Sequence, residues 1–335
     1  MNKKNQKITD IIEAFSGKKI IVWGDIILDE YLYGTTRRVS REAPVLVLSY
    51  KGKEYALGGA GNALINLQSL GAKPVPVGVI GRDEAGEIIL QILKSKNIST
   101  KHLIQINNFS TPTKSRILAG EETAKKQQIL RIDYEGKVPE DKSVQERLLK
   151  NLIKLKDDAQ ALLISDYNYF VVAESIYKRI LSRFQKSKIP ISLDSRFRIL
   201  NFKGVTVSTP NESEVEEAFN IEFNSNEKLI NETGRRLMNL TEAEAILITR
   251  GSKGMVLFEK RKAPRSIPIC GTTDIVDVTG AGDTVICVFT LGLACGSTHR
   301  DAATLANHAG GLVVMKKGTA AITIEELKKS IQSEN

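Results

Sequence analysis

The sequence predicts an α/β fold, a parallel sheet with crossover helices that carries a small β lid, and three observations lead there. From residue 143 onward helical and strand patterns alternate: helix to 156, strand 161–165, helix 173–185, then strands 190–193 and 204–208. Residues 18–24 (KKIIVWG) form a short β-rich run that ends in glycine, with Asp25 and Asp29 just beyond it, as expected of a first buried strand. Two β-rich excursions, at about 31–55 and 111–133, interrupt the alternation and are read as a lid.

In chain order, the first excursion contains Gly34, Arg37, Arg38, Pro44 and the apolar run 45–48. Residues 58–62 (GGAGN) then open a helix that runs to Leu70 and ends at Gly71. Its small residues allow close backbone approach and suit either a ligand or a tight structural helix start, while Asn62 offers a sugar hydroxyl both a donor and an acceptor. A strand over 73–80 follows, then an amphipathic helix over 85–96 with Ile88, Ile89, Ile92 and Leu93 on one side. Strands at 111–119 and 127–133, joined by a polar loop over 120–126, make the second excursion, with Lys114, Arg116 and Arg131 able to project from one face.

In the alternating half, Asp166 and Asp194 close successive strands, at the edge where open α/β sheets bind ligands, though either suits a helix cap. Asn211 and Glu214 open the next helix three residues apart, a spacing that serves the waters of a Mg²⁺ ion or an N-cap. A helix over 228–240, a strand over 245–249, the turn 250–254 (RGSKG) and a strand over 255–258 follow, and a last helix covers 301–314.

Residues 275–284 (IVDVTGAGDT) have the order of a strand end, a glycine turn and the start of a buried helix that continues through 285–289 (VICVF). Unpaired amides at such a helix start attract anions, so the Gly280, Ala281 and Gly282 amides are candidates for an anion hole. Asp283 stands among them either as a cap or as a carboxylate with a task, such as taking a proton from an attacking hydroxyl.

Composition narrows the partners. The net charge of +9 is spread along the chain and aromatic residues make up only 6%, so anionic small molecules explain the basic excess and no nucleic acid partner is expected. No run approaches eighteen apolar residues without a charge, and Cys270, Cys287 and Cys295 have no metal spacing, so a cytoplasmic location without membrane contact is expected. A Walker A sequence and a strand-linked G-x-G-x-x-G are both missing, which removes the common nucleoside triphosphatase and dinucleotide readings.

Taken together, residues 58–62, the N-x-x-E of Asn211 to Glu214 and the stretch 277–283 (DVTGAGD) resemble the three ordered motifs of the ribokinase-type (PfkB) carbohydrate kinases, over nearly the whole chain. The resemblance implies one ribokinase-like three-layer α/β/α sandwich over residues 1–335 with a small β-sheet lid, ATP and Mg²⁺ as cofactors, and a homodimer paired through the lid. It implies Asp283 as base, Asp25, Asp29, Gly58, Gly59 and Asn62 as sugar ligands, and Arg250, Gly251, Gly254, Asn307 and Gly311 beside ATP. It further implies Asn211 and Glu214 on Mg²⁺ through water, and Asp277 and Thr279 on a monovalent cation such as K⁺. Within the family, residues 24–29, 33–34, 40–44, 127–133, 165–167 and 317–319 are similar to the heptose 7-phosphate kinases of lipopolysaccharide-core synthesis, although residues 194–197 (DSRF) replace their Asp-Pro-Lys-Gly and residues 168–170 (NYF) their Lys- or Gly-containing turn. The implied substrate is D-glycero-D-manno-heptose 7-phosphate, with Arg116, Arg131, Arg196 and Arg198 as candidates for its distal phosphate. A kinase for another sugar or sugar phosphate (fructose, ribose, a 6-phosphate) and a non-catalytic nucleotide or sugar sensor are the alternatives, and any nucleotidyltransferase step is expected in a separate protein.

Overall fold

A computed structural model describes residues 3–120, 126–271 and 275–333. In chain order the first half consists of α1 (Lys3–Glu13), β1 (Lys19–Gly24), β2 (Ile26–Val39), β3 (Leu46–Gly59), α2 (Ala60–Ser69), β4 (Lys73–Gly81), α3 (Glu84–Ser95), β5 (Leu103–Ile106), β6 (Thr113–Gly120) and β7 (Gln127–Tyr134). The second half follows with α4 (Lys142–Lys156), β8 (Ala161–Asp166), α5 (Glu174–Lys186), β9 (Ile191–Ser195), β10 (Val207–Ser208), α6 (Glu212–Phe219), α7 (Glu227–Thr241), β11 (Ala245–Thr249), β12 (Met255–Glu259), β13 (Arg265–Ile267), α8 (Ala281–Ala294), α9 (His299–Val313) and α10 (Ile324–Ser333).

The main sheet has nine strands in the order β13-β12-β11-β10-β9-β8-β1-β4-β5. Strand alternation divides its side chains between two helical layers. Ile21 and Trp23 of β1 pack with Leu162 and Ile164 of β8 against α4, α5 and α7. Ile20 and Val22 pack with Ala161 and Leu163 against α1, α2, α3, α8, α9 and α10. Both faces are therefore buried, which explains why these strands are apolar runs rather than alternating ones. Among the described residues no helix is long and apolar enough to cross a membrane.

The lid is a separate four-stranded sheet in the order β3-β2-β6-β7. Its register sets Arg116 directly against Arg131, so Lys114, Arg116 and Arg131 do share one face. Ile129, Leu130, Ile132 and Tyr134 of β7 stay exposed, as do Val39, Val45, Leu46 and Tyr50 at the far end of the β2–β3 ribbon.

Several expected boundaries change. β2 and β3 extend the first excursion to 26–59, so Gly58 and Gly59 end a lid strand and α2 starts after them. The strand expected over 204–208 shrinks to two residues. Ile275 and Val276 belong to no strand, since their stretch is held instead by the amides of Val276 and Asp277 donating to the Val314 carbonyl. β11–β12 and β12–β13 are antiparallel, so the sheet is mixed. The elements α1, β5, β13 and α10 went unread: the two strands are only four and three residues long, and the helices are charged outside a narrow apolar stripe. The polar loop expected over 120–126 falls largely on 121–125, outside the described residues.

Candidate active site

β8, β9 and β11 run parallel, and residues at or just past their carboxyl ends meet the lid around a cavity of about 400 Å³. Asp29, Gly58 and Gly59 reach it from the lid, Asp194 and Arg196 from the end of β9, and Gly280, Gly282 and Asp283 from the start of α8.

Gly280 caps α8 at φ 77, a left-handed conformation in which a side chain would be strained, and a Cβ there would sit 2.5 Å from the Asn62 amide nitrogen. Glycine thus permits the contact that fixes the carboxylate: Asn62 Nδ2 donates to Asp283 Oδ2 at 2.7 Å, and the Tyr167 hydroxyl donates to Oδ1 at 3.3 Å. Gly282 leaves the helix start open, with nothing within 4 Å of a would-be Cβ. Burial, then the Asp194 charge, push the Asp283 carboxyl up to about 7. Asp194 and Glu214, which line the same cavity, are likewise pushed up to about 7, each chiefly by burial.

Other candidates have structural partners. Asp25 does not line the cavity: its buried carboxylate accepts from the amides of Tyr167 (2.7 Å), Tyr169 (3.2 Å) and Val171 (3.2 Å), so it shapes the loop that carries Tyr167. Asp29 accepts from Arg116 Nη1 at 2.6 Å. Arg131 is paired with Asp133 at 2.8 and 3.0 Å. Arg198, a candidate for a distal phosphate, is instead held by Asp166 and donates to the Val172 carbonyl at 3.0 Å. Its guanidinium closes a buried network in which Ser195 Oγ also donates to Asp166, at 2.7 Å.

Asn211 and Glu214 form a reciprocal capping box, Asn211 Oδ1 accepting from the Glu214 amide at 2.8 Å and Glu214 Oε2 from the Asn211 amide at 2.9 Å. Both also line the cavity, so capping and a ligand role are compatible. Asp277 Oδ1 accepts from the Thr279 amide and Oδ2 from the Gly318 amide, each at 2.9 Å. Although burial opposes it, these bonds hold the Asp277 carboxyl below its ordinary range.

The residues expected beside ATP lie apart from Asp283, and none of them lines its cavity. Arg250 is buried between Glu212 (2.7 Å) and Glu227 (2.7 Å), so its guanidinium is consumed in joining α6 to α7. Asn307 donates to the Pro268 carbonyl at 2.8 Å, and Gly311 and Gly254 let α9 and β12 approach the carbonyls of Cys270 and Ile267. Gly251, in contrast, has open space over it.

Sequence reasoning gave no role to Asn66, Tyr167 or Thr284, and it named Lys114 only as a lid cation. Asn66 and Thr284 are fully buried; Asn66 Nδ2 donates to Asn62 Oδ1 at 3.0 Å, and Asn66 Oδ1 accepts from the Thr284 hydroxyl at 2.9 Å. Asn66 lies one turn after Asn62 and Thr284 adjoins Asp283, and this spacing was the available signal.

The donor set fits a polyphosphate and a metal carried with it. An open helix start and open Gly251 suit phosphate oxygens, and the buried Thr209 hydroxyl lining the cavity has no hydrogen-bond partner among the described residues. Among the described residues no group of three or more His, Cys, Asp or Glu could hold a metal ion.

A profile of the pfkB family carbohydrate kinases matches residues 18–326. The chain is similar to the bifunctional protein HldE of Mesorhizobium japonicum, 35% identical over 317 residues that cover 94% of this chain and 62% of that protein. It is similar to the bifunctional protein HldE of Haemophilus ducreyi, 35% identical over 318 residues that cover 95% of this chain and 64% of that protein. It thus spans less than two thirds of the length of these relatives. The fold matches Arabidopsis thaliana ribokinase complexed with ribose and ATP (TM-score 0.70, 22% identity, 95% of this chain and 98% of that one). It also matches phosphofructokinase-2 from Escherichia coli in complex with fructose-6-phosphate (TM-score 0.73, 15% identity, 95% of this chain and 99% of that one). With the motifs, the sheet and the profile in agreement, the chain belongs to the pfkB family of carbohydrate kinases, phosphotransferases with an alcohol group as acceptor.

Proposed function

We propose that this chain uses ATP to phosphorylate the anomeric hydroxyl of D-glycero-D-manno-heptose 7-phosphate, giving the 1,7-bisphosphate. The observation that carries the reading is a buried carboxyl, Asp283, in a cavity whose other wall bears Lys114, Arg116 and Arg196. A base beside cations suits an acceptor with a hydroxyl at one end and a phosphate at the other. The choice of heptose rests on the likeness to HldE proteins and on the stretch 24–44.

In this reading Asp283 takes the proton of the attacking hydroxyl as that oxygen bonds to the γ-phosphorus of ATP and the bond from this phosphorus to the bridging oxygen breaks, releasing ADP. Asn62 and Tyr167 keep its oxygens aimed, and a carboxyl pushed up to about 7 is matched to proton transfer near neutral pH. The Gly280 to Asp283 amides and the dipole of α8 offer partial positive charge to the transferring group. Asn211, Glu214 and Asp194 would hold Mg²⁺ through its waters, Asp277 and Thr279 a K⁺ ion, and Gly251, Gly254, Asn307 and Gly311 would lie beside ATP. When bound, Mg²⁺ neutralises phosphate charge. The lid excludes water from the cavity, and its exposed apolar residues support pairing of two lids in a homodimer. Cysteines that form no disulfide among the described residues suit a cytoplasmic enzyme.

The test is kcat/KM with ATP for the heptose 7-phosphate against fructose 6-phosphate, fructose and ribose. The heptose 7-phosphate should lead. Preference for an unphosphorylated sugar overturns the substrate while leaving a sugar kinase.

A further inference from the structure

Beside the cavity of Asp283 lies a second one, of about 600 Å³, and Lys114, Tyr167 and Arg196 line both. These three residues are therefore the wall between them. The second cavity carries four cations, Lys114, Arg131, Lys137 and Arg196, against two carboxylates, Asp133 and Glu135. Arg131 and Asp133 neutralise each other, which leaves three cations facing one carboxylate.

The cations named from the sequence are mostly spent. Arg116 is paired with Asp29, Arg131 with Asp133 and Arg198 with Asp166. Lys114 and Arg196 differ: among the described residues no carboxylate forms an ion pair with either, and each rests on an aromatic face, Lys114 Nζ 5.6 Å from the Tyr167 ring centre and Arg196 5.8 Å from that of Phe197. Burial, then the positive charge of Arg196, hold the Lys114 ammonium below its ordinary range. Two like charges held in one partly buried wall are costly without an anion between them. Arg196 also feels the charges of Asp194 and Glu214, which line the cavity of Asp283.

We infer that the second cavity is the subsite for the phosphate of the acceptor sugar, and that Lys114 and Arg196 are the residues that select a phosphorylated over an unphosphorylated acceptor. A phosphate monoester carries close to two negative charges near pH 7 and three acceptor oxygens, which answers an ammonium and a guanidinium together. The inference rests on the reading of the acceptor as a sugar phosphate, and the experiment separates the two.

Calorimetry measures the ratio of affinities for heptose 7-phosphate and for the unphosphorylated heptose in the full chain, in Lys114→Gln, in Arg196→Gln and in the charge-keeping Lys114→Arg, with Lys228→Gln as an exposed control. Circular dichroism checks that each variant folds. The wild type and the control should favour the phosphorylated sugar, Lys114→Gln and Arg196→Gln should each cut that preference about ten- to hundredfold, and Lys114→Arg should retain most of it. A wild-type preference that survives in both glutamine variants overturns the subsite and spares the proposed acceptor. A wild type without preference overturns the acceptor reading, and the subsite with it.

Discussion

Asn62 on α2 and Asp283 on α8 are joined by a hydrogen bond of 2.7 Å that ties the two glycine-rich motifs into one device although 221 positions separate them. The amide cannot turn over, because Asn66 Nδ2 donates to Asn62 Oδ1 and leaves only the Nδ2 side to face the carboxylate. Thr284 fixes Asn66 in turn. The orientation of the candidate base is therefore set by buried polar groups, each of which has a partner.

Asp283→Asn keeps the shape and removes the base. Turnover should fall by roughly 10²–10⁴ while the circular dichroism spectrum and melting curve stay close to wild type. Wild-type turnover in this variant would show that Asp283 only caps α8.

Asn66→Ala takes from the buried Asn62 Oδ1 its donor and leaves the Thr284 hydroxyl only the Gly280 carbonyl, at 3.2 Å. Stability should fall by about 1–3 kcal/mol in urea titration, and kcat should drop as the Asn62 amide loses its fixed direction. An effect on stability alone would confine Asn66 to a structural role.

The acid limb of kcat/KM should lie near pH 7, with activity rising as Asp283 loses its proton. Asp194→Asn removes a nearby negative charge, so ionisation of Asp283 becomes easier and the limb should move to lower pH. Linkage gives a second readout. Asp25, Asp194 and Asp283 all bind protons more tightly folded than unfolded, so their contribution to stability is lost as pH rises from about 4 through about 7. The ligand-free protein should melt at a higher temperature at pH 5.5 than at pH 8, and this difference should shrink in Asp194→Asn; a wild-type Tm that rises over this window would contradict it.

Glu214→Gln separates capping from metal binding, because glutamine also closes a capping box but carries no charge. Helix stability should change by only a few tenths of a kcal/mol, whereas the Mg²⁺ concentration for half-maximal rate should rise about tenfold or more, and chelator should abolish activity in both proteins. An unchanged Mg²⁺ requirement would leave Glu214 as a cap alone.

If lids pair, light scattering at assay concentration should give twice the chain mass, and Leu130→Lys with Ile132→Lys should return it to one. A monomeric wild type would remove the pairing.

What the sequence disclosed followed from range. The run 280–283 and the pair Asn211 and Glu214 act through neighbouring backbone, so their types and spacing already describe a helix start. The fate of the arginines was not legible, because Asp29 meets Arg116, and Asp166 meets Arg198, only after strands pair across the fold. Lys114 was seen as a lid cation, but its lack of a carboxylate partner is a property of the assembled wall. The partners of Asp25 were hidden for a related reason. A carboxylate after a strand suggests a ligand, yet β1 is central, and the loop after its neighbour β8 delivers three amides to that position.

Asp25 is also the sole residue between β1 of the main sheet and β2 of the lid. Its side chain is clamped by the 167–171 loop, and its amide donates to the Ser165 carbonyl. The root of the lid is thus riveted, with no slack linker to swing on. Farther out the β2–β3 register shifts between Tyr33 and Gly34 and between Thr36 and Arg38, irregularities of the kind at which a strand pair bends and twists more strongly. Asp29, four residues from that rivet, is in turn held by Arg116 at its place on the cavity wall.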